Sequence, residues 1–331
     1  MTEPAFTDLV DLAAERLGGA VLLANDEFFA PKESLLKAAE PVWKEHEYTD
    51  RGKWMDGWET RRRRSPGHDW CLIRLGLPGV VRGIVVDTSY FRGNYPEAFE
   101  LEGVAVAGVP DPEKLAADPL VRWHALVARS PLAGDTRNPF PVKSNDRVTH
   151  LRFHIVPDGG VARLRVHGEA RPDPALLAPG RELDLAAMEH GGYVVSCSDM
   201  FFGHRQNLIL PGRSTHMGDG WETKRRRGPG HDWSVVRLAA RGHLQHLELD
   251  TDHFKGNAPG SCSLESLDAP GAEGLTLAVS TAWKPLLPGT ALQPHARHAW
   301  DVTGEPAATH VRLNIFPDGG VARLRVLGRI A

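Results

Sequence analysis

The sequence predicts an all-β protein built from two antiparallel β-sandwich domains in tandem. Three observations lead to this expectation. The chain has 331 residues, a length that corresponds to about two domains. It contains a long internal repeat. Within each copy, short alternating apolar runs bounded by Gly and Pro outnumber helical patterns, which is typical of sandwiches.

The two copies share a fifteen-residue segment, at 56–70 and 219–233, that is identical except at two positions. It mixes carboxylates, a run of arginines, a histidine and tryptophans, so it is far more specific than a hydrophobic pattern. Further matched blocks extend the repeat: 11–14 with 184–187, 26–29 with 199–202, 87–94 with 250–257, and 157–166 with 317–326. A period of about 160 residues indicates duplication of a whole domain rather than a solenoid.

We therefore expect a first repeat over residues 1–169 and a second over residues 170–331. The division falls within 169–180, where three prolines and a glycine are typical of a linker. The second copy is ten residues shorter than the first between Leu36 and Asp56. Length changes of this kind predict loops.

Composition excludes several classes of protein. The hydrophobic content of 41% and the charged content of 24% are those of an ordinary globular protein. A formal charge of -3 argues against nucleic-acid binding despite the arginine runs. Three cysteines without a C-x-x-C spacing argue against disulfides and zinc, and favour a reducing, cytoplasmic location. The absence of a basic leader and of a long apolar stretch argues against secretion and membrane spanning.

The elements are predicted in chain order as follows. Helical periodicity is confined to residues 9–17 and, more weakly, 34–39. A strand ends at 58–60, another run begins at Trp70, and a separate short strand covers 83–87. Residues 61–69 then form a loop whose two ends lie near each other at one end of the sandwich.

A hairpin is expected near the end of each copy. Residues 151–156 and 161–167 both alternate apolar and polar side chains, which is the pattern of a half-buried strand. The sequence Pro157-Asp-Gly-Gly between them suits a tight turn. Asp87 and Asp250 follow apolar strands and are interpreted as Asx-turn residues, and the tryptophans as core or pocket-wall residues.

The loop between the predicted strands carries the candidate site, because binding sites are commonly built from loops on a rigid scaffold. Glu59, the arginines, His68 and Asp69 are expected to converge on one pocket at the end of the sandwich. The expected catalytic residues are Glu59, His68 and Asp69, with Glu222, His231 and Asp232 in the second copy. The expected substrate-binding residues are Arg62, Arg63 and Asp56, with Arg225, Arg226 and Asp219 in the second copy.

Each assignment has an alternative. An arginine fork pairs with a carboxylate in a bidentate manner, so the loop suits an anionic small molecule; the arginines could equally form a solvated face. His68 beside Asp69 suits acid-base work near neutral pH, or closes the loop on backbone. A divalent metal on Asp56, His68, Asp69 and Asp87 stays open, although no recognisable ligand motif supports it and no cofactor is expected.

These motifs together resemble the allantoicase family. The resemblance covers nearly the whole chain in both copies. It rests on Asp26-Glu-Phe-Phe-Ala, on the repeated segment at 56–70, on Asp87-Thr with Phe91-Arg-Gly-Asn, and on 157–166. It implies two jelly-roll domains of galactose-binding-like type and the hydrolysis of allantoate to ureidoglycolate and urea in purine breakdown.

The chemistry of the implied reaction agrees with the candidate residues. Allantoate is a carboxylate whose central carbon carries two ureido groups, so an arginine of the loop can hold the acid. Urea leaves once its nitrogen is protonated, a task for His68 or for a carboxyl of raised pKa. Glu59 or Asp69 then activates water. Which copy is active stays open.

Two other functions remain to be distinguished from this one. A non-catalytic module that binds carbohydrate or another small ligand is the main alternative, because sandwiches often serve as binding modules. Attack on a ureido carbonyl would release ammonia instead of urea. The expected partner is allantoate, without nucleic acid or membrane, and assembly of the chain into a homo-oligomer is left open.

Overall fold

A computed structural model of the chain describes residues 4–272, 277 and 279–331. The chain divides into two compact units, Met1–Arg171 and Pro172–Ala331. In each unit, strands dominate the described residues, and the one α-helix among them, α1 (Pro112–Ala117), spans six residues. The prediction of two all-β sandwiches in tandem is confirmed.

The first unit is built on one antiparallel sheet that folds into two layers. The order of its strands is β1-β12-β6-β10-β7-β8, with β2 and β9 also paired to β6. Its strands are β1 (Val10–Asp11), β2 (Ala20–Ala24), β3 (Tyr48–Thr49), β4 (Gly52–Lys53), β5 (Trp58–Glu59), β6 (Asp69–Asp87), β7 (Ala98–Val104), β8 (His124–Pro131), β9 (Arg137–Pro141), β10 (Arg147–Val156), β11 (Gly160–Val161) and β12 (Arg163–Ala170). Short 3-10 helices lie at Ala5–Asp8, Glu15–Leu17 and Lys32–Leu36.

The long strand β6 belongs to both layers. Residues 69–74 pair with β10 and β2, whereas residues 79–87 pair with β12 and, from Gly83, with β9. Nineteen extended residues would span about 60 Å. The backbone N–H of Asp69 nevertheless donates to Pro157 O and that of Ala162 donates to Asp87 O, and residues 157–162 reach at most about 20 Å. Strand β6 is therefore bent, and its two ends return to the same end of the sandwich.

The core lies between the two layers. Phe99 on β7 packs against Phe140 on β9, with ring centroids 4.6 Å apart, and Phe153 on β10 lies 6.0 Å from Phe99. Trp58 packs on Phe153 and is fully buried. Trp221 is fully buried in the second unit, so two of the repeated tryptophans are core residues, as predicted, while Trp70 and Trp233 are partly exposed.

The second unit repeats this topology, with the order β13-β22-β16-β20-β17-β18 and with β14 and β19 paired to β16. Its strands are β13 (Glu182–Asp184), β14 (Tyr193–Cys197), β15 (Trp221–Glu222), β16 (Asp232–Asp250), β17 (Ser261–Leu267), β18 (Lys284–Ala291), β19 (Arg297–Asp301), β20 (Ala307–Phe316), β21 (Gly320–Val321) and β22 (Arg323–Ile330). Its 3-10 helices include Pro174–Leu177, Met188–His190, Arg205–Ile209 and Met217–Asp219.

The predicted hairpin near the end of each copy is wrong. Strands β10 and β12 are not neighbours, because β6 lies between them and pairs with both. The segment from Pro157, which follows a cis peptide bond, carries the chain from one layer to the other, and β11 pairs with β5 instead. An alternating pattern identifies a strand but does not select its partner.

Two other local predictions need correction. The runs after Trp70 and at 83–87 belong to one strand, β6. Pro78 does not interrupt this strand, because it lies between the two paired halves, where no ladder hydrogen bond requires a backbone N–H. Residues 9–17 are not a helix: the backbone N–H of Leu12 donates to Val166 O, so this segment begins as strand β1 and ends as a 3-10 turn. Residues 34–39 overlap only the 3-10 helix Lys32–Leu36.

The structure also describes the cysteines and the aspartates at the strand ends. The cysteines Cys71, Cys197 and Cys262 are all free. Asp87 and Asp250 form Asx turns, accepting from the backbone N–H of Ser89 at 2.8 Å and of Asp252 at 2.7 Å. In the part of the chain that the structure describes, no helix has the length and apolar character needed to cross a membrane.

Candidate functional site

Glu59 is held at the entrance to the arginine loop by backbone contacts. It pairs with Gly160 in β11 and exchanges backbone hydrogen bonds with Ala30. The start of the loop is held by Asp26, whose carboxylate accepts a hydrogen bond from the backbone N–H of Arg61 at 2.9 Å. Trp58 Nε1 donates to Asp26 O at 2.8 Å. The repeated Asp26 block therefore fixes the position of Glu59.

The Glu59 side chain lines an open cavity of about 340 Å³. Its Oε1 accepts a hydrogen bond of 2.7 Å from Asn94 Nδ2. Burial raises the pKa of the Glu59 carboxyl, and the hydrogen bond from Asn94 opposes that effect only in part. The complete lining is Phe29, Trp43, Lys53, Met55, Glu59, Tyr90, Arg92, Gly93 and Asn94.

One wall of this cavity comes from residues 37–55, the segment that the second copy shortens by ten residues. Strands β3 and β4 form a small hairpin there. Lys53 Nζ donates to Lys44 O at 2.6 Å and to Glu45 O, and lies 4.7 Å from the centre of the Trp43 ring. The hairpin is thereby folded on itself, with Trp43 and Lys53 both facing the cavity.

The block at 90–94 also lines the cavity, and the ring of Tyr90 lies 5.9 Å from that of Trp43. Arg92 Nε donates to Asp135 at 2.9 Å, and the same carboxylate accepts from the backbone N–H of Tyr90 at 2.7 Å. Lys53 and Arg92 are the two cationic side chains of the lining, which also holds the carboxyl of Glu59, and the charge of Arg92 is paired with Asp135. A lining with two cationic side chains suits an anionic ligand.

Asp69 and Arg63 form an ion pair within the fold. Asp69 is 1% exposed, and its Oδ1 accepts from Arg63 Nη1 at 2.6 Å and from Asn25 Nδ2 at 2.9 Å. The backbone N–H of Arg63 donates to Asp158 at 2.9 Å. These contacts tie the arginine loop to its neighbours.

The second unit repeats this arrangement. Asp232 is buried and accepts from Arg226 and from Ser198 Oγ, and the backbone N–H of Arg226 donates to Asp318 at 2.8 Å.

His68 lies in a different place. It is exposed, and its Nε2 shares a hydrogen bond of 2.9 Å with Nδ1 of His154, whose Nε2 in turn lies 3.0 Å from Glu102 Oε2. Burial lowers the pKa of His154, against the opposing effect of Glu102. In the second unit, His231 lies 3.3 Å from Asn314, which bonds Glu265.

Asp56 belongs to a buried ion pair. Its Oδ2 accepts from Arg163 Nη2 at 2.8 Å and from the backbone N–H of Val42 at 3.1 Å. Burial opposes ionisation, but the hydrogen bonds from Arg163 and Val42 outweigh it and lower the pKa of Asp56. Arg163 Nε also donates to Ala39 O at 2.9 Å. Asp219 and Arg323 form the equivalent pair at 2.9 Å.

The predicted site residues are therefore distributed over several places instead of converging on one pocket. Glu59 lines the cavity, Asp69 and Asp56 are buried partners of arginines, and His68 lies on a histidine chain. Arg62 and Arg225 are exposed. The expected convergence fails because each buried carboxylate needs a cationic partner nearby, and Arg63 and Arg163 provide it.

Sequence reasoning did not single out Asn94, Arg92, Trp43 or Lys53 as site residues. A signal for Asn94 was present, because the block at 91–94 recurs with Asn257. Trp43 and Lys53 had no such signal, since they lie in the segment without a counterpart of equal length. Among the residues that the structure describes, no three His, Cys, Asp or Glu side chains are placed to hold a metal ion.

Comparison with known proteins gives a consistent picture. The family model of the allantoicase repeat matches residues 10–171 and 183–331. An allantoicase of Dictyostelium discoideum is 46% identical, over 97% of this chain and 87% of that protein. A probable allantoicase of Nocardia farcinica is 49% identical, over 98% of this chain and 95% of that protein. The crystal structure of allantoicase from Saccharomyces cerevisiae superimposes with a TM-score of 0.79 at 32% identity, covering 96% of this chain and 92% of that one.

Proposed function

The chain belongs to the allantoicase family, and from this premise we propose how the cavity of its first unit acts on allantoate. The function is that of an allantoicase, a hydrolase that converts allantoate to ureidoglycolate and urea. The observation that carries the assignment of the site is the Glu59–Asn94 pair, a partly desolvated carboxyl in a cavity with a positive lining. Arg92 and Lys53 attract the substrate carboxylate to the cavity.

Glu59 transfers the proton in both halves of the reaction. As a carboxylic acid it donates its proton to the nitrogen of the departing ureido group, and the bond from that nitrogen to the central carbon breaks, releasing urea. The lone pair of the remaining ureido nitrogen stabilises the electron-poor carbon. Water then adds to that carbon and gives a proton to the Glu59 carboxylate, which restores the acid. One water is consumed, and no proton is gained or lost.

The raised pKa of Glu59 serves the first half of this sequence. A general acid must hold its proton at the working pH, and burial extends the protonated fraction of Glu59 to higher pH. Asn94 donates to the ionised form and so supports the second half, in which Glu59 is a carboxylate. Arg63, Asp69 and Asp56 enter this proposal as residues that position the loop and the cavity wall.

The direct test is to incubate the purified chain with allantoate and measure urea, ammonia and the remaining substrate. We expect one urea per allantoate consumed and no ammonia. Binding of allantoate without turnover would favour a non-catalytic module, and ammonia release would indicate attack on a ureido carbonyl. Repeating the assay after chelation tests the expectation that no metal is needed. A cytoplasmic location and the homo-oligomer remain predictions, as does the absence of nucleic-acid and membrane partners.

Replacing Asn94 with Ala is expected to move one limb of the pH profile of kcat/KM. The hydrogen bond from Asn94 favours the ionised form of Glu59, so its loss raises the pKa of Glu59 and shifts the corresponding limb to higher pH. Asn257→Ala is the matched control, because Asn257 bonds Glu222 in the second unit. A limb that stays in place in Asn94→Ala would mean that it reports another group.

A further inference from the structure

We propose that allantoate is turned over only in the first unit, because residues 37–55 complete the cavity around Glu59 and the second unit lacks this segment. The inference rests on the proposed role of Glu59. It concerns the wall of the site and not the Glu–Asn pair, which both units share.

The reactive pair itself does not distinguish the two units. Asn257 Nδ2 donates to Glu222 Oε1 at 2.6 Å, as Asn94 does to Glu59 at 2.7 Å. Glu222 is also fixed to β21 and Gly203 in the way that Glu59 is fixed to β11 and Ala30. A difference in activity must therefore come from the surroundings of the pair.

The segment before the repeated motif provides that difference. The first unit has nineteen residues at 37–55, and the second has nine at 210–218. Three residues that line the first cavity, Trp43, Lys53 and Met55, belong to the longer segment. Residues 210–218 contain no strand and only the start of the 3-10 helix Met217–Asp219, so they form no hairpin. Met217 lies beside the pair instead, with its Sδ 3.4 Å from Asn257 Nδ2.

The exposure of the aromatic residues next to the hairpin differs between the two units. In the first unit, Arg51 Nη1 donates to Phe28 O at 2.9 Å and its guanidinium stacks on the Phe28 ring, so Phe28 is 37% exposed and Phe29 only partly exposed. Their counterparts Phe201 and Phe202 are 70% and 62% exposed. The aromatic side chains beside Glu222 are therefore more exposed to water than those beside Glu59.

The anion-binding side of the cavity differs as well. Lys255 takes the place of Arg92, which exchanges a planar fork for a single point charge. His295 takes the place of Asp135, the carboxylate that holds Arg92. His253, the counterpart of Tyr90, lies 3.1 Å from Ser214 O through Nε2. The second unit thus keeps the Glu–Asn pair but has neither the β3–β4 hairpin nor the Arg92–Asp135 pair of the first unit.

The matched pair Glu59→Gln and Glu222→Gln tests the inference. We expect Glu59→Gln to lose turnover by at least about 100-fold and Glu222→Gln to keep the kcat and KM of the parent chain. An equal large loss in both variants, or a halved kcat in each, would overturn confinement to the first unit and leave the proposed role of the glutamates standing. Full activity in both would overturn the role of Glu59 itself.

A segment exchange tests the cause. Residues 37–55 are replaced by a copy of 210–218, and the product is checked for a cooperative unfolding transition. We expect a loss of kcat/KM comparable to that of Glu59→Gln; retained activity would show that the hairpin is dispensable and would overturn the argument. If the exchanged chain does not fold, Trp43→Ala decides instead: a lower kcat/KM supports the wall, and parent values contradict it.

Discussion

Urea release by the Glu59→Gln variant is expected to have a kcat about 10²–10⁴-fold below that of the parent chain, the usual contribution of a positioned acid-base group. The amide keeps the size of the carboxyl and can still accept from Asn94, so the cavity should remain assembled. It cannot give up or take a proton at neutral pH. The loss should therefore lie in kcat, with KM changed little.

The measurement is a steady-state assay of urea at several allantoate concentrations, beside an unfolding curve that shows the variant to be folded. His68→Ala is the informative comparison, because His68 lies on the chain with His154 and Glu102 and not among the residues lining the cavity. A larger loss in His68→Ala than in Glu59→Gln would assign proton transfer to the histidine chain.

The Asp56→Ala variant is expected to lose about 3–5 kcal/mol of unfolding free energy, the usual result of removing one partner of a buried ion pair. Asp56 is 8% exposed and Arg163 only 1%, so the substitution leaves an arginine charge buried without its carboxylate. It also releases the backbone N–H of Val42. The first part of the segment at 37–55 should become less ordered, and turnover of allantoate should fall as a result.

Guanidinium titration followed by tryptophan fluorescence measures this loss, and the two units can unfold in separate transitions. Asp219→Ala is the matched control: it removes the equivalent partner of Arg323 and should destabilise the second unit while turnover of the folded chain persists. An Asp56→Leu, Arg163→Met double variant should lose less than Asp56→Ala, because no unpaired charge stays buried. Equal losses would contradict this account.

The same ion pair has a pH dependence whose sign follows from Asp56. Its pKa is lowered in the folded chain, where Arg163 and Val42 outweigh burial. The stabilisation is therefore complete above the ordinary pKa of an aspartate and is lost as the pH falls through the lowered folded value.

The sequence predicted the parts of the fold that have strong local signals. Trp58 and the apolar run after Trp70 indicated strands because tryptophan and apolar side chains are buried in a core. The repeat provides the same evidence in both copies. The partners of strands were not predictable from alternation, which is why β10 and β12 were joined although β6 separates them. Pairing depends on how the layers close, and no local pattern contains that information.

The candidate site was likewise predicted only in part. Glu59 was predicted from the repeated motif, but its partner Asn94 lies thirty-five residues further along the chain and is brought near by the fold. Asp56 was predicted to bind substrate and Asp69 to be catalytic, because carboxylates beside arginines suit both a site and an internal ion pair. Only burial distinguishes those uses, and burial is a property of the folded chain.

The bend in β6 has a consequence for how the site tolerates sequence change. One end of this strand begins directly after the arginine loop, and the other leads into the block that carries Arg92 and Asn94. The arginine loop that follows Glu59 and the block that carries Arg92 and Asn94 are therefore attached to the two ends of one strand. Deleting a single residue near the bend would reverse the facing of every side chain along one half of the strand, so we expect insertions and deletions to be tolerated in the surface loops and excluded from residues 75–78.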